Sequence, residues 1–165
     1  MGMPAVGKTS VAQSLSKKIK YKFMDMDRFI EDKFKKTIPY IFRSEGESDF
    51  RGYERMCLEN FKRKDKLVLA SGGGAINEES LQLSLGFKYR VWLDATIDEI
   101  CKRCADDIEK RPLLYNTSNI NKSLMELYQI RHFFYNTCSN IIIDTTNKTI
   151  REIVDELIIK MNELN

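Results

Sequence analysis

The nine residues Gly-Met-Pro-Ala-Val-Gly-Lys-Thr-Ser at positions 2–10 fit the pattern G-x-x-x-x-G-K-[ST], a phosphate-binding loop that leads into a helix. Glycine lets the backbone fold around an anion with its N–H groups pointing inward, and the helix N-terminus adds its own unpaired N–H groups. Lys8 would reach the β- and γ-phosphates as a mobile charge, and the Thr9 hydroxyl would bind Mg²⁺. The stretch therefore predicts a site for a nucleoside triphosphate and its metal ion.

A loop of this type normally follows a buried β-strand, whereas only Met1 precedes Gly2 in the sequence. Four buried aliphatic side chains of such a strand would contribute roughly 6 to 12 kcal/mol at ~1.5 to 3 kcal/mol each. That sum is comparable to the whole net stability of a domain. We therefore expect an apolar strand upstream of Met1, so that the first strand is missing or truncated in this sequence.

The composition of the chain predicts one globular domain. With 165 residues, 42% of them hydrophobic, the chain can bury a core of ordinary size. The 27 basic and 24 acidic residues nearly balance, and the basic runs adjoin apolar and acidic residues, so we expect no nucleic-acid partner. The aliphatic run at 141–143 is too short to span a membrane, and no signal segment is evident. We expect a cytoplasmic protein without a membrane partner.

Strand and helix patterns alternate along the chain. Apolar runs predict strands at 23–26, 67–70, 89–93 and 140–143. Helical spacing predicts helices at 8–19, 37–45, 49–63, 77–85 and 122–137, and capping boxes at Thr96/Glu99 and Thr149/Glu152 begin two more. The segment 106–121 has no clear period and is typical of a mobile loop. This alternation predicts an α/β fold with a parallel sheet covered on both faces, a three-layer α/β/α arrangement of five strands if the missing one is counted.

Two further features indicate a site beside the phosphate-binding loop. Asp25 and Asp27 lie two apart, so they project to the same face of a strand, whose end could place them near a magnesium ion or a substrate hydroxyl. Three glycines at 72–74 follow a predicted buried strand at once, which leaves the backbone open to close approach by a ligand. The pair Cys101 and Cys104 has no second pair, so we expect no metal or redox site there.

Four motifs occur in an order that resembles the shikimate kinase family. They are Phe-Met-Asp-Met-Asp at 23–27, Phe50-Arg51-x-x-Glu54, the glycines at 72–74, and Arg-Pro-Leu-Leu at 111–114 followed by Arg131 and Tyr135. The resemblance covers the chain apart from the missing strand. It implies a P-loop NTPase fold like that of nucleoside monophosphate kinases. It also implies a single domain over 1–165, with a substrate-binding subdomain at about 27–57 and a mobile lid at about 106–122.

The resemblance further implies MgATP-dependent phosphorylation of the 3-hydroxyl of shikimate, in the biosynthesis of aromatic amino acids. Lys8, Asp27 and Arg111 would be catalytic, and Thr9 and Asp25 would serve the metal ion. ATP would be bound by Ala5, Val6, Gly7, Lys8, Thr9, Ser10 and Arg111. Shikimate would be bound by Asp27, Phe42, Phe50, Arg51, Glu54, Gly72, Gly73, Gly74 and Arg131. Within these sets Arg51 and Arg131 would clamp the carboxylate, and Glu54 would orient Arg51.

The sequence departs from the family pattern at a few positions. Ala5 stands where the family usually has glycine, and the adenine contact falls to Arg103 or Asn147 as candidates. His132, the only histidine, is expected not to be catalytic. Two alternatives stay open beside a monomeric shikimate kinase. One is another small-metabolite kinase acting on gluconate or a nucleotide, and the other is an inactive nucleotide-binding relative whose loop has lost its supporting strand.

Overall fold

A computed structural model describes residues 1–105 and 120–164 as helices alternating with short parallel strands. The helices are α1 (Lys8–Ile19), α2 (Met26–Phe34), α3 (Ile38–Ser44), α4 (Glu47–Phe61), α5 (Leu81–Ser84), α6 (Ile97–Ala105), α7 (Ile120–Cys138) and α8 (Ile150–Glu163). The strands are β1 (Lys22–Asp25), β2 (Leu67–Ala70), β3 (Val91–Asp94) and β4 (Ile141–Asp144). The predicted lid at about 106–122, with Arg111, lies outside the described residues except for its last three positions.

Local capping explains where several helices begin. The Asp25 side chain accepts hydrogen bonds from the backbone N–H groups of Asp27 and Arg28, which starts α2 directly at the end of β1. Thr149 and Glu152 form the predicted capping box at the start of α8. These side chains satisfy backbone N–H groups that the first turn of a helix leaves unpaired. The capping box predicted at Thr149 and Glu152 is therefore confirmed. The expectation that Asp25 and Asp27 share one face of a strand is wrong, because Asp25 ends β1 and caps α2, so that Asp27 lies in the first turn of that helix.

The helix predicted at 77–85 is wrong over its first half. Asn77 Oδ1 accepts hydrogen bonds from the backbone N–H groups of Glu79 and Ser80, and Ser80 Oγ donates to the Ala75 carbonyl at 2.6 Å. These side chains offer the backbone partners that a helix would otherwise supply. The segment therefore turns first and forms only the short α5.

The four described strands form two parallel pairs. β1 pairs with β2, bringing Asp25 beside Ala70, and β3 pairs with β4. Met1 lies next to β3, since its nitrogen donates to the Val91 carbonyl at 2.8 Å and its carbonyl accepts from Leu93 N–H at 3.0 Å. A cavity of about 590 Å³ separates β2 from β3. The described residues thus give two two-stranded parallel sheets, and Met1 is hydrogen-bonded beside β3.

Two apolar clusters fill the interior. One joins α1, α6, α7 and α8 to the pair β3–β4 and includes the phosphate-loop residues Met3 and Val6. The other lies among α2, α3 and α4 and includes Met26 and Phe50. α7 contributes to both, through Tyr135 in the first cluster and Cys138 in the second. Among the described helices, none has the length and apolar character of a membrane span.

Candidate active site

The phosphate-binding loop precedes α1 and has the left-handed backbone that such a loop needs. Gly7 has φ +87° and Ala5 has φ +59°, so alanine occupies a conformation that L-residues adopt at a cost. Val6 is fully buried and anchors the loop to the core. The Lys8 ammonium donates to the Met3 carbonyl across the loop at 2.7 Å. Residues 5–10 therefore surround the N-terminus of α1, where an anion is stabilised by the helix dipole and free N–H groups.

Thr9 and Asp25 meet beside this loop. The Thr9 hydroxyl donates to Asp25 Oδ2 at 2.8 Å, while Oδ1 of the same carboxylate caps α2. Among the described residues, no group of three or more His, Cys, Asp or Glu side chains could hold a metal ion. Mg²⁺ does not require one, because it binds through one or two protein oxygens together with substrate phosphates and water. The hydroxyl–carboxylate pair therefore fits this ion.

Arg51 is held on α4 by two carboxylates. Its Nη1 donates to Glu54 Oε2 at 2.6 Å, and its Nη2 and Nε donate to Glu47 Oε1 at 2.6 and 3.1 Å. Glu54 is buried, whereas Glu47 is half exposed. The guanidinium also lies 5.5 Å from the centre of the Phe50 ring, which packs against Phe42. These contacts fix the plane of the guanidinium, as bidentate recognition of a carboxylate requires.

The three glycines after β2 lie against two carboxylates and two guanidinium groups of the site. A methyl group at Gly72 would lie 2.5 Å from Glu54 Oε1 and 2.9 Å from Asp27 Oδ1. At Gly74 it would lie 2.5 to 2.6 Å from the Arg51 guanidinium, and at Gly73 3.2 Å from Arg131 Nη1. The two guanidinium groups and the two carboxylates therefore converge on one loop, as expected from the motifs. Glycine is required there by close approach and not by positive φ.

This loop also adjoins the phosphate-binding loop. The same methyl group at Gly73 would lie 3.5 Å from the Gly2 carbonyl oxygen and 3.8 Å from Pro4 Cδ. The glycine loop and the phosphate-binding loop are therefore neighbours at Gly73, Gly2 and Pro4, as two substrates bound at these loops would need to react. Reacting atoms about 3 to 3.5 Å apart are what a near-attack geometry needs.

Two buried carboxyl groups at this loop, those of Asp27 and Glu54, have pKa values raised toward neutral pH. Burial, reinforced by Asp25, raises the pKa of Asp27 to about 6, and Lys8 and Arg51 partly oppose the rise. Burial raises the pKa of Glu54 to about 7, with Arg51 as the main opposing charge. Asp27 Oδ1 and Glu54 Oε1 are buried and accept no hydrogen bond from the described residues. Buried acceptors of this kind are costly to leave unsatisfied.

The remaining predicted residues divide between this site and its surroundings. Arg131 is buried on α7 and Phe50 on α4, and Phe42 is half buried. Arg103 donates to Glu99 and to the Thr145 carbonyl, each at 2.9 Å, and Asn147 has φ +56° in the same loop. Whether either contacts adenine stays a prediction. His132 packs against the rings of Trp92 and Tyr128.

Two residues of the site were missed by the sequence reasoning. Glu47 forms the second ion pair of Arg51, and only its i, i+4 spacing hinted at it. The Met3 carbonyl, which accepts from Lys8, has no sequence signal because any residue carries a backbone oxygen.

The pH dependence of turnover tests whether Asp27 accepts a proton in the reaction. If its carboxylate accepts the proton of the attacking hydroxyl, kcat/KM for the acceptor falls as pH drops through about 6, where Asp27 becomes protonated. Because a raised pKa in the folded state means that ionisation destabilises the fold, stability falls as pH rises from about 4 to 6. We expect Asp27→Asn to abolish the acid limb and most activity while raising the thermal midpoint at pH 7.5. A variant that loses stability together with activity would contradict this reading, and Asp32→Asn on the same helix is the control.

Comparison with known proteins shows the family of this chain. The family model for shikimate kinase matches residues 4–162. A shikimate kinase of Enterococcus faecalis is 34% identical over 165 residues, covering 99% of this chain and 96% of that protein. A shikimate kinase of Nitrosomonas europaea is 35% identical over 166 residues, covering 100% of this chain and 78% of that protein.

Solved structures extend the comparison. The shikimate kinase of Acinetobacter baumannii in complex with shikimate superposes with a TM-score of 0.91 at 31% identity, over 99% of this chain and 93% of that one. A gluconokinase from Sinorhizobium meliloti gives a TM-score of 0.67 at 17% identity, over 99% and 90% of the two chains, which indicates a shared fold alone.

Proposed function

Since this chain belongs to the shikimate kinase family, we propose that it transfers the γ-phosphoryl group of ATP to the 3-hydroxyl of shikimate, within the biosynthesis of aromatic amino acids. The observation that carries the proposal is the convergence of Arg51, Arg131, Asp27 and Glu54 on the glycines at 72–74, beside the phosphate-binding loop. A cyclic acid with several hydroxyl groups needs both cations for its carboxylate and buried acceptors for its hydroxyls. This loop offers the two together.

The acceptor is bound through its carboxylate by Arg51 and Arg131. Only arginine offers a planar fork of donors that matches a carboxylate, and Glu54 holds that of Arg51 in one orientation. The Gly73 amide and the close Gly72 and Gly74 complete the loop around the substrate. Phe42 and Phe50 cover the apolar side of the ring.

Asp27 hydrogen-bonds the attacking hydroxyl. The oxygen of the substrate hydroxyl forms a bond to the γ-phosphorus while the bond from that phosphorus to the β,γ-bridging oxygen breaks. The electron pair of the broken bond leaves with ADP, and the hydroxyl proton passes to the Asp27 carboxylate. A carboxylate with a pKa of about 6 is suited to accept a proton near neutral pH. Phosphoryl transfer nevertheless depends mostly on positioning and on neutralising charge. Lys8 supplies positive charge at the transferred group, with Arg111 as a second source.

The donor is held by the loop of residues 5–10. The backbone from Ala5 to Ser10 surrounds the phosphates, while Thr9 and Asp25 hold Mg²⁺, directly or through its water shell. When bound, the ion neutralises charge on the phosphate oxygens. We further propose that the protein acts as a cytoplasmic monomer. Residues 27–57 would serve as the acceptor subdomain, and the segment 106–122 would serve as the lid over ATP.

A coupled assay of ADP release tests the proposal. Purified protein is assayed with MgATP and one of three acceptors: shikimate, gluconate or a nucleoside monophosphate. Of these acceptors, only shikimate is expected to be phosphorylated. Mass spectrometry of the product then shows one added phosphoryl group at the 3-hydroxyl. Turnover of gluconate or a nucleotide without shikimate would refute the assignment. Failure of MgADP and shikimate to raise the thermal midpoint would instead favour an inactive relative, because ligand at 100 times its Kd adds about 2.7 kcal/mol to the stability of a competent protein.

A further inference from the structure

Tyr135 on α7 lies against the glycine loop from inside the protein. Its side chain is fully buried, and its hydroxyl donates a hydrogen bond to the Gly73 carbonyl. The ring packs beside Trp92, with 5.9 Å between the ring centres. Tyr135 therefore fixes the Gly73 carbonyl, in the peptide between residues 73 and 74, and leaves the Gly73 N–H, in the preceding peptide, for a ligand.

Arg131 lies one turn earlier on the same helix and shares the same phenol. The two residues are four apart, so they lie on one face of α7. The Arg131 guanidinium lies near enough to the Tyr135 hydroxyl to oppose the rise of its pKa, and a methyl group at Gly73 would lie 3.2 Å from Arg131 Nη1. A phenol can donate one hydrogen bond and accept another at the same time. The Tyr135 hydroxyl thus binds the Gly73 carbonyl and has the Arg131 guanidinium as its neighbour, and both of these groups lie at the same glycine.

The phenol keeps its proton under working conditions. Burial raises the pKa of Tyr135 to about 12, although the neighbouring Arg131 opposes the rise. The hydroxyl is therefore available as a donor to Gly73 at every pH at which the enzyme is expected to work. Its hydrogen bond and its neighbouring charge both come from groups that we assign to acceptor binding.

We propose that Tyr135 is a positioning residue for the acceptor carboxylate, holding the Gly73 peptide and the Arg131 guanidinium in the relative orientation that binds it. The inference rests on the proposed function, which assigns Arg131 and Gly73 to shikimate. Phenylalanine would fill nearly the same volume. The hydroxyl is then needed only because it connects these two groups, and its removal leaves a buried carbonyl without its donor.

The test compares Tyr135→Phe with Tyr128→Phe. Tyr128 lies two turns earlier on α7 and also carries a hydrogen-bonded hydroxyl, which donates to Asp94 Oδ2 at 3.2 Å, away from the glycine loop. We expect Tyr135→Phe to raise the KM for shikimate about tenfold, the change that about 1.4 kcal/mol of lost binding gives, with the KM for ATP and kcat within about twofold. Tyr128→Phe leaves all three near their original values. Gly73→Ala, which crowds Arg131 from the loop side, gives the same selective rise and serves if Tyr135→Phe does not fold.

A carboxylate-free analogue and Arg131→Ala separate the outcomes. With the alcohol analogue of shikimate, wild type and Tyr135→Phe should have the same KM, because no carboxylate remains to be positioned. In an Arg131→Ala background, Tyr135→Phe should add little. Two results for Tyr135→Phe would overturn the positioning role: a rise in the KM values for both shikimate and ATP, or no rise in the KM for shikimate. If Arg131→Ala still weakens shikimate binding, only the role of Tyr135 is overturned. If Arg131→Ala binds shikimate normally, the proposed carboxylate site is wrong as well.

Discussion

Lys8→Ala lowers kcat for shikimate phosphorylation by about 10³-fold while the fold remains intact. The Lys8 ammonium lies at the phosphate-binding loop, where it contacts the Met3 carbonyl, and it would face the charge that develops on the transferred phosphoryl group. Removing one preorganised donor from such a site costs about 10² to 10³ in rate, and a full positive charge belongs at the upper end. Single-turnover kinetics with saturating MgATP and shikimate measure the loss.

The matched control for this variant is Lys18→Ala. Lys18 lies on the same helix, is half exposed and pairs with Asp155 at the surface. Surface pairs of this kind contribute little, so its rate should be near normal. The Lys8 charge lowers the pKa of Asp27. The residual activity of Lys8→Ala should therefore begin to fall at a higher pH than that of the wild type as the solution is made more acidic. A Lys8→Ala enzyme within tenfold of the wild-type rate would exclude the loop as the phosphoryl-transfer site.

Arg51→Ala raises the KM for shikimate about 100-fold and destabilises the protein. The first effect follows from loss of a guanidinium that is fixed by Glu47 and Glu54. A charge-assisted bidentate pair contributes about 1.5 to 3 kcal/mol for each hydrogen bond, so 100-fold is a moderate expectation. The second effect follows because Glu54 is buried and loses its charged partner. Breaking such a pair costs about 3 kcal/mol.

The pH dependence separates these two effects. Without Arg51, the pKa of Glu54 rises further above about 7, since the main charge that opposes the effect of burial is gone. The variant should therefore be least destabilised at pH 6, where Glu54 is protonated, and most destabilised at pH 9. Arg51→Ala/Glu54→Gln should regain stability at pH 9 without regaining affinity for shikimate. Arg55→Ala on the same helix, which breaks only an exposed pair with Glu79, is the control, and an equal KM change there would contradict the assignment.

Local chemistry accounts for the features that the sequence predicted well. The phosphate-binding loop, α1 and α8 depend on signals within a few residues, such as Gly7 at the start of α1 and Thr149 with Glu152 at the start of α8. The strand at 67–70 also matches β2, because its apolar run ends abruptly at Ser71 and the glycines. The site motifs were expected together from the family resemblance alone, since Arg51 and Glu54 lie on α4 and Arg131 on α7, and the structure brings all three to the glycine loop.

Contacts between distant segments account for what the sequence could not predict. Nothing in the spacing shows that the Thr9 hydroxyl reaches Asp25, or that Tyr135 donates to Gly73 across 62 positions. The division of the strands into two pairs likewise depends on which backbones meet. Asn77 and Ser80 replaced a predicted helical turn through side-chain hydrogen bonds whose strength relative to the helix depends on packing.

The shared carboxylate of Asp25 has a consequence for how the two substrates affect each other. One oxygen receives the hydroxyl of the nucleotide loop, and the other fixes the first turn of the helix that carries Asp27. A ligand that redirects this carboxylate on one side must shift the equilibrium of the other. We therefore expect donor and acceptor affinities to be linked, in which case the factor by which ATP changes the Kd of shikimate equals the factor by which shikimate changes that of ATP.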